Sequence, residues 1–140
     1  MRHCGWNPTK PRRLAAATLV AGALLAGATA TAADTPLPAG RYRCYQPPAF
    51  TVTAWFDLEA NGTYRVNGGK WQRYAFDAEK SLVRWSGSDF AAGQGYGVFI
   101  PPGGPGGEEA RHTIVLSGRA DARPGMSGWA RLERCYMTTH

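Results

Sequence analysis

Short runs of alternating apolar and polar residues, separated by glycine, proline and asparagine, dominate the chain from residue 34 onward. In the run 50–58, for example, Val52, Phe56 and Leu58 share one face, whereas Trp55 points to the other. A period of two residues is typical of strands that bury one face. Because no run of useful length in this region has the period of an α-helix, the pattern predicts an all-β domain.

Eight such runs follow one another along the chain. They span residues 41–45, 50–58, 63–67, 70–76, 82–86, 96–100, 112–117 and 129–137. Asn61-Gly62 favours a hairpin between the second and third runs, since both residues tolerate the positive φ of tight turns. Eight short antiparallel strands predict a small barrel or sandwich. The alternation places Tyr64, Tyr74 and Trp85 inside, so we expect a barrel to be filled by its own side chains.

The first 33 residues have the composition of a secretory signal peptide. Four basic residues precede an uncharged apolar run over 14–28, which small residues with A-x-A-like sites follow. We predict cleavage after Ala30, Ala32 or Ala33, which leaves a single β domain over 34–140. The alternatives are a retained membrane anchor, for which about 20 apolar residues would be expected, and a twin-arginine export signal at Arg12-Arg13.

Most of the positive charge of the chain belongs to this leader. The whole sequence has 16 basic and 10 acidic residues, a formal charge of +6, whereas residues 34–140 have 12 basic and 10 acidic residues, a charge of +2. A domain this close to neutrality lacks the charge footprint of a nucleic-acid-binding protein. We therefore expect no nucleic-acid partner.

The predicted exported domain keeps two cysteines, Cys44 and Cys135, which lie near its two ends. In an oxidising compartment, an even pair most simply forms one disulfide. Such a bond would bring the first and last strands together, which favours a barrel over a sandwich. A metal pair would need further ligands, and only His112 and His140 could supply them; a redox pair would usually show C-x-x-C spacing.

Several aromatic side chains point away from the predicted core face and lie close to arginines. Trp55 and Trp71 lie opposite the apolar residues of their strands, Arg73 shares the face of Trp71, and Tyr45 shares a face with Arg43. Tryptophan, tyrosine and arginine dominate recognition surfaces for proteins, and aromatic rings also suit saccharides. We predict that these five residues form a binding surface. The alternatives are that the rings pack under loops or, with inside and outside reversed, line the interior.

The sequence offers few residues for catalysis. No serine lies in a nucleophile-elbow motif, and His112 shares its face with apolar residues, which favours a structural role. Asp57 and Glu59 lie beside one turn and Asp77 and Glu79 beside another; paired carboxylates can hydrolyse glycosides, but carboxylates beside hairpin turns are ordinarily solvated. We expect a non-enzymatic protein without metal or cofactor. A small hydrolase that uses Asp57 or Asp77 with His112 is the least favoured alternative.

The segment 40–44 (Gly-Arg-Tyr-Arg-Cys), the later Gly-x-Tyr and Trp-Ser-Gly units and the closing Cys135 resemble small exported bacterial β-proteins. They are loosely similar to calycin-like barrels, the group that includes lipocalins, although Tyr42 stands where lipocalins have the tryptophan of Gly-x-Trp. The early Tyr-x-Cys and the late cysteine are also similar to periplasmic lysozyme inhibitors. Those proteins carry Ser-Gly-x-x-Tyr, and the corresponding segment 86–90 ends in Phe90.

These observations predict an exported, monomeric, non-enzymatic β-barrel that binds a protein partner or a small ligand in the periplasm or outside the cell. After cleavage of the leader, we expect no stable membrane insertion. The alternative function is inhibition of a secreted or periplasmic enzyme such as lysozyme. Segments 87–95 and 101–109 are the candidate inhibitory loops, because both are long and glycine-rich for a compact domain.

Overall fold

Eight antiparallel strands account for nearly all regular structure in a computed structural model that describes residues 37–87, 89–90 and 93–139. The strands are β1 (Gly40–Gln46), β2 (Thr51–Leu58), β3 (Thr63–Val66), β4 (Gln72–Asp77), β5 (Leu82–Trp85), β6 (Tyr96–Ile100), β7 (Thr113–Ser117) and β8 (Arg134–Met137). The predicted all-β class is confirmed. The proposed signal peptide, residues 1–33, lies outside the described residues.

The sheet is a closed barrel in which each strand pairs with the next and β8 returns to β1. Cys44 lies directly opposite Cys135 in this last pairing, and the two form the predicted disulfide, with their Cα atoms 3.8 Å apart. The barrel is therefore confirmed over the sandwich.

The hairpin between β2 and β3 follows directly from the alternation. Phe56 lies opposite Val66 and Leu58 opposite Tyr64, and all four side chains are buried. Gly62 adopts a φ of 85°, the left-handed conformation that glycine enters without steric cost. The turn predicted at Asn61-Gly62 is thus present, and it sets the register that places the neighbouring odd-numbered residues on the outside.

Aromatic side chains fill the barrel. Phe56 stacks on Tyr42 with ring centroids 5.1 Å apart, and Trp85 packs against Tyr64 at 4.8 Å and Phe90 at 4.9 Å. Tyr42, Phe56 and Tyr64 have no exposed surface, and Trp85 and Phe90 are at most 8% exposed. Such filling is expected at eight strands, where the interior is just wide enough for side chains. Phe90 belongs to this core, although the sequence predicts a loop over 87–95.

The last strand is shorter than predicted, because the segment before it covers the outside of the barrel. Trp129–Arg131 is a single 3₁₀ turn rather than strand, and Trp129 packs with Val98, Ile100 and Val115 in an outer apolar cluster. Val115 consequently has no exposed surface although it faces away from the interior. Trp129 ends in this position because the apolar outer faces of β6 and β7 would otherwise remain in water.

Leu132 and Cys135 lie on opposite sides of the barrel wall, because Leu132 packs against the outer apolar cluster while Cys135 belongs to the interior core.

The face of Val52 differs from the prediction. A register shift at Cys44 and Tyr45 skips Thr53 and pairs Tyr45 with Val52. Val52, predicted to share the face of Phe56, is instead 52% exposed, because the alternation of buried and exposed residues stops at this bulge and residues 51–53 are all exposed.

Candidate functional site

The outer face of three neighbouring strands carries a row of opposite charges. In the pairing of β1 with β2 and of β2 with β3, Asp57 lies between Arg41 and Arg65. Arg41 Nε donates a hydrogen bond to Asp57 Oδ1 at 2.8 Å, and Arg65 Nε donates to Oδ2 at 2.9 Å. Arg41 Nη2 makes a third, longer bond at 3.3 Å. One carboxylate therefore positions two guanidinium groups.

A tryptophan lies beside each end of this row. The Arg41 guanidinium lies 4.0 Å from the ring centroid of Trp55, and that of Arg65 lies 4.7 Å from the ring centroid of Trp71. Both distances are within the range of cation–π attraction. These five residues, Trp55, Arg41, Asp57, Arg65 and Trp71, form the tryptophan–arginine cluster. Its members come from β1, β2, β3 and the residue that precedes β4.

The cluster is exposed at its edges and covered at its centre. Asp57 is the most covered of its charged groups, with 17% of its side chain exposed, against 42% for Arg41 and 35% for Arg65. The hydrogen bond from Arg41, followed by that from Arg65, lowers the pKa of Asp57 below the ordinary value of 3.8. The carboxylate is consequently charged at any physiological pH, and the two arginines stay in place.

Asp57 should titrate anomalously. Because the folded chain favours the carboxylate, its contribution to stability is present at neutral pH and is lost as the pH falls from 3.8 through the lower folded-state pKa. We expect a carboxyl-carbon NMR titration to give a pKa below 3.8 for Asp57, and the Arg41→Gln substitution to raise that pKa.

A matched control for this titration lies elsewhere on the surface. Arg119 pairs with Asp121, and both side chains are more than half exposed. The Arg119→Gln substitution removes the same charge and should leave the titration of Asp57 unchanged. A pKa of Asp57 that Arg41→Gln does not raise would contradict the role of Arg41.

Trp71 separates two open grooves at the surface. It is 44% exposed and lines both of them. The larger groove, of about 710 Å³, has polar walls formed by Asn67, Lys70, Gln72 and Asp89. The smaller groove, of about 430 Å³, lies over the charged row and is also lined by Glu59. Trp71 is therefore exposed to solvent between two grooves that are lined by different residues.

The polar side chains of the larger groove are held by one another and by the backbone. Gln72 Nε2 donates to a carboxylate oxygen of Asp89, and Asn67 Oδ1 accepts the backbone N–H of Trp55 at 3.0 Å. The side chain of Gln72 also lies directly against Gly87, where a Cβ atom would overlap it. These contacts fix the groove wall in the absence of a ligand.

Tyr45 belongs to a second surface cluster. Its ring lies 5.9 Å from that of Tyr136, and Arg111 lies 4.7 Å from the Tyr136 ring while pairing with Glu108. Tyr45 is thus brought together with residues of β8 and of the loop before β7. Burial raises the pKa of Tyr136, so its hydroxyl stays protonated at neutral pH.

The five residues predicted from sequence are distributed unevenly over the barrel. Trp55 and Trp71 lie in the tryptophan–arginine cluster, and Tyr45 lies in the second cluster. Arg43 is exposed between the two, opposite Trp55 on one side and Tyr136 on the other. Arg73 is exposed on β4, where it pairs with Thr63.

From sequence, Asp57 is expected to be a solvated carboxylate beside a turn, and Arg65 is not among the predicted site residues. Both lie at odd-numbered positions of the β2–β3 hairpin, on the face of Trp55. The signal that could have identified them was the register: once Phe56 is paired with Val66, Asp57 must lie beside Arg65. Arg41 could not be found in this way, since its register depends on the bulge at Cys44 and Tyr45.

The residues considered for catalysis are engaged elsewhere. Asp57 is bound by two arginines, and the ring of His112 stacks on Phe99 at 5.7 Å. In the part of the chain that the structure describes, no group of three or more histidine, cysteine, aspartate and glutamate side chains could hold a metal ion. The same residues contain no helix that is long and apolar enough to cross a membrane.

Comparison of the chain with known protein families, with curated proteins and with solved structures found no match. The resemblance to small exported β-barrels therefore remains a prediction, and any function must be argued from the surface itself.

Proposed function

We propose that the chain is an exported, non-enzymatic binding protein that recognises a protein partner or a small ligand with the tryptophan–arginine cluster. The observation that carries the proposal is Trp71, a large aromatic side chain that is 44% exposed beside an arginine already fixed by Asp57. Tryptophan and arginine are the residue types most enriched among residues that contribute most to binding. The signal peptide predicted over residues 1–33 and the disulfide between Cys44 and Cys135 support export.

The filled interior supports recognition on the outside of the barrel rather than inside it. Tyr42, Phe56 and Tyr64 occupy the space that a carrier barrel would leave for its ligand, and all three are fully buried. The tryptophan–arginine cluster, by contrast, adjoins two open grooves.

The ordering of the arginines also supports binding. A free arginine side chain loses roughly 2 kcal/mol of rotamer entropy when it is immobilised. Arg41 and Arg65 are each held by Asp57 and by a tryptophan ring before any partner arrives. Since part of the ordering has already occurred, a partner that contacts them loses less free energy on binding.

Replacement of Trp71 tests this proposal. We expect the Trp71→Ala variant to bind at least about tenfold more weakly than the wild type, which corresponds to about 1.4 kcal/mol, because the substitution removes the exposed ring between the grooves. Binding is measured by titration calorimetry against lysozyme, as a protein probe, and against neutral six-sugar oligosaccharides.

The control is Phe50→Ala, which removes another exposed aromatic ring, 54% exposed, that lines neither groove around Trp71. It should bind like the wild type. Binding that survives Trp71→Ala, or a wild-type chain that binds neither kind of probe, would contradict the proposal.

A second candidate function is enzyme inhibition by the loop between β6 and β7. Gly103 donates its backbone N–H to Glu108 at 2.9 Å, and Arg134 Nη1 donates to the carbonyl of Gly106 at 3.0 Å. A largely exposed loop that these hydrogen bonds hold is the feature that favours this function, because a rigid loop loses little entropy when it enters an active site.

Shortening this loop distinguishes the two candidates. If the chain inhibits lysozyme, replacing residues 103–107 by two glycines should reduce the inhibition at least about tenfold, because the braced tip is removed. Trp71→Ala should then leave inhibition unchanged. The readout is the rate of cell-wall lysis, with circular dichroism to verify the fold of each variant; full inhibition by the shortened chain would exclude the loop.

A further inference from the structure

The two grooves beside Trp71 differ in volume and lining but share one property: among the described residues that line each groove, the formal charges sum to zero. The charged residues of the larger groove are Lys70 and Asp89. Those of the smaller groove are the two arginines of the cluster, balanced by Asp57 and Glu59. The charges that line the two grooves therefore select neither an anionic nor a cationic ligand.

Both grooves are nevertheless rich in hydrogen-bonding groups of both kinds. Carboxylates only accept, lysine and arginine only donate, and the amides of Asn67 and Gln72 do both. A ligand that matches such walls must also donate and accept at many points. Hydroxyl groups have this property, because each can donate one hydrogen bond and accept others.

Trp71 adds an apolar platform between the grooves. The Arg65 guanidinium lies over its ring, and 44% of the residue is still exposed. The face of an aromatic ring carries negative charge density and attracts weakly positive C–H groups. Sugar rings present a surface of C–H groups on one face and hydroxyl groups around their edge. The C–H face of a sugar therefore matches the ring of Trp71, and its hydroxyl groups match the hydrogen-bonding groups of the groove walls.

The volumes of the two grooves are sufficient for a ligand of this size. Grooves of about 710 and 430 Å³ lie within the range of roughly 300–1,000 Å³ that is usual for small-molecule sites. We propose that this face binds an uncharged oligosaccharide, with one sugar ring stacked on Trp71 and the neighbouring units in the two grooves. The inference rests on the proposed function and specifies its ligand.

The experiment uses three neutral hexasaccharides as probes: β-1,4-linked glucose, β-1,4-linked N-acetylglucosamine and α-1,4-linked glucose. We expect at least one to bind the wild-type chain and to shift the NMR signals of the Trp71 indole N–H and of the backbone over 67–72. Trp71→Ala should weaken that binding at least tenfold, whereas Trp71→Phe should retain part of it. Asp89→Asn should weaken it about three- to tenfold, because the neutral amide accepts hydrogen bonds less strongly.

Three results would overturn the inference. The first is the absence of binding by all three hexasaccharides. The second is binding that Phe50→Ala weakens as much as Trp71→Ala does. The third is binding of a hexasaccharide of glucuronic acid more than tenfold tighter than the neutral probes, with a steep loss of affinity in salt, since this would identify a charge-selected site.

The same measurements separate this inference from the proposed function. If lysozyme binds in a Trp71-dependent manner while no saccharide binds, the recognition surface stands and the oligosaccharide ligand is wrong. If neither lysozyme nor any saccharide shows binding that depends on Trp71, both the surface and its ligand are wrong. Near-UV circular dichroism of each variant confirms that the compared proteins are folded.

Discussion

Replacing both Cys44 and Cys135 by alanine is expected to lower the free energy of unfolding by about 4–5 kcal/mol, the loop-closure estimate for a crosslink of this span. The sequence separation of the two cysteines is 91, so the bond constrains most of the unfolded domain. For a domain of this size, the loss corresponds to a fall in the melting temperature of roughly 20 °C. Thermal unfolding followed by far-UV circular dichroism measures it.

The location of the bond makes its loss more than an entropic effect. Cys44 and Cys135 lie in the pairing of β1 with β8, the one that closes the barrel, and both are fully buried. β8 has only four residues, and four residue pairs join it to β1. We expect amide exchange in Arg43 and Tyr136 to accelerate more than exchange in β2 and β3, because the closing pair should open first.

Chemically reduced wild-type protein is the matched control for the double variant. It keeps the two sulfur atoms and lacks only the covalent bond, so the difference between the two samples isolates the packing of the side chains. A melting temperature that falls by less than about 5 °C in both would contradict a major role for the disulfide, since this corresponds to only about 1 kcal/mol.

The sequence was sufficient to predict the β2–β3 hairpin, and the reason is geometric. Residues that lie directly opposite one another in an antiparallel pair point to the same face, so buried Phe56 must lie opposite a buried residue. Pairing Phe56 with Val66, which is also buried, satisfies this condition. A slip of one residue would place charged Asp57 opposite Val66 and require one of them to change face. Alternation therefore encodes the register and, with it, the contact between Asp57 and Arg65.

The positions of Phe90 and Trp129 could not be predicted, because the segments that carry them show no periodic alternation of apolar and polar residues. Phe90 enters the barrel from a loop, and Trp129 covers the outside of β6 and β7 from a 3₁₀ turn. In each case a single large aromatic side chain is buried, and the residues around it in the sequence show no alternation from which that burial could be predicted. The sequence predicts a last strand over 129–137, whereas Trp129 lies in the 3₁₀ turn that precedes β8 and packs with Val115.

The sequence also could not predict that the aromatic surface would divide into two separate clusters. Alternation placed Tyr45 on the same outer face as Trp55, which is correct, but it carries no information on distance around the barrel. The pairing of β1 with β8 brings Tyr45 to Tyr136 instead. Face can be deduced within a strand, whereas neighbours across the closing pair depend on the complete topology.

Trp85→Ala is expected to destabilise the domain by about 3–5 kcal/mol, the usual cost of removing a large aromatic side chain from a core. Trp85 is 5% exposed, and its ring contacts those of Phe56, Tyr64, Tyr74 and Phe90 at centroid distances of 4.8–6.1 Å. These neighbours come from three strands and a loop, so they cannot all move inward to fill the space. Urea unfolding followed by circular dichroism measures the loss.

Trp71→Ala is the matched control, because it is the same substitution on the opposite face of the sheet. Its ring contributes an exposed contact with Arg65, for which a loss of at most about 1 kcal/mol is expected. The two variants should therefore separate the two roles of tryptophan in this barrel: Trp85→Ala should lose about 3–5 kcal/mol of stability, and Trp71→Ala should lose binding while its stability falls by at most about 1 kcal/mol. Equal destabilisation by both would mean that Trp71 supports the fold, and would remove it as an exposed recognition residue.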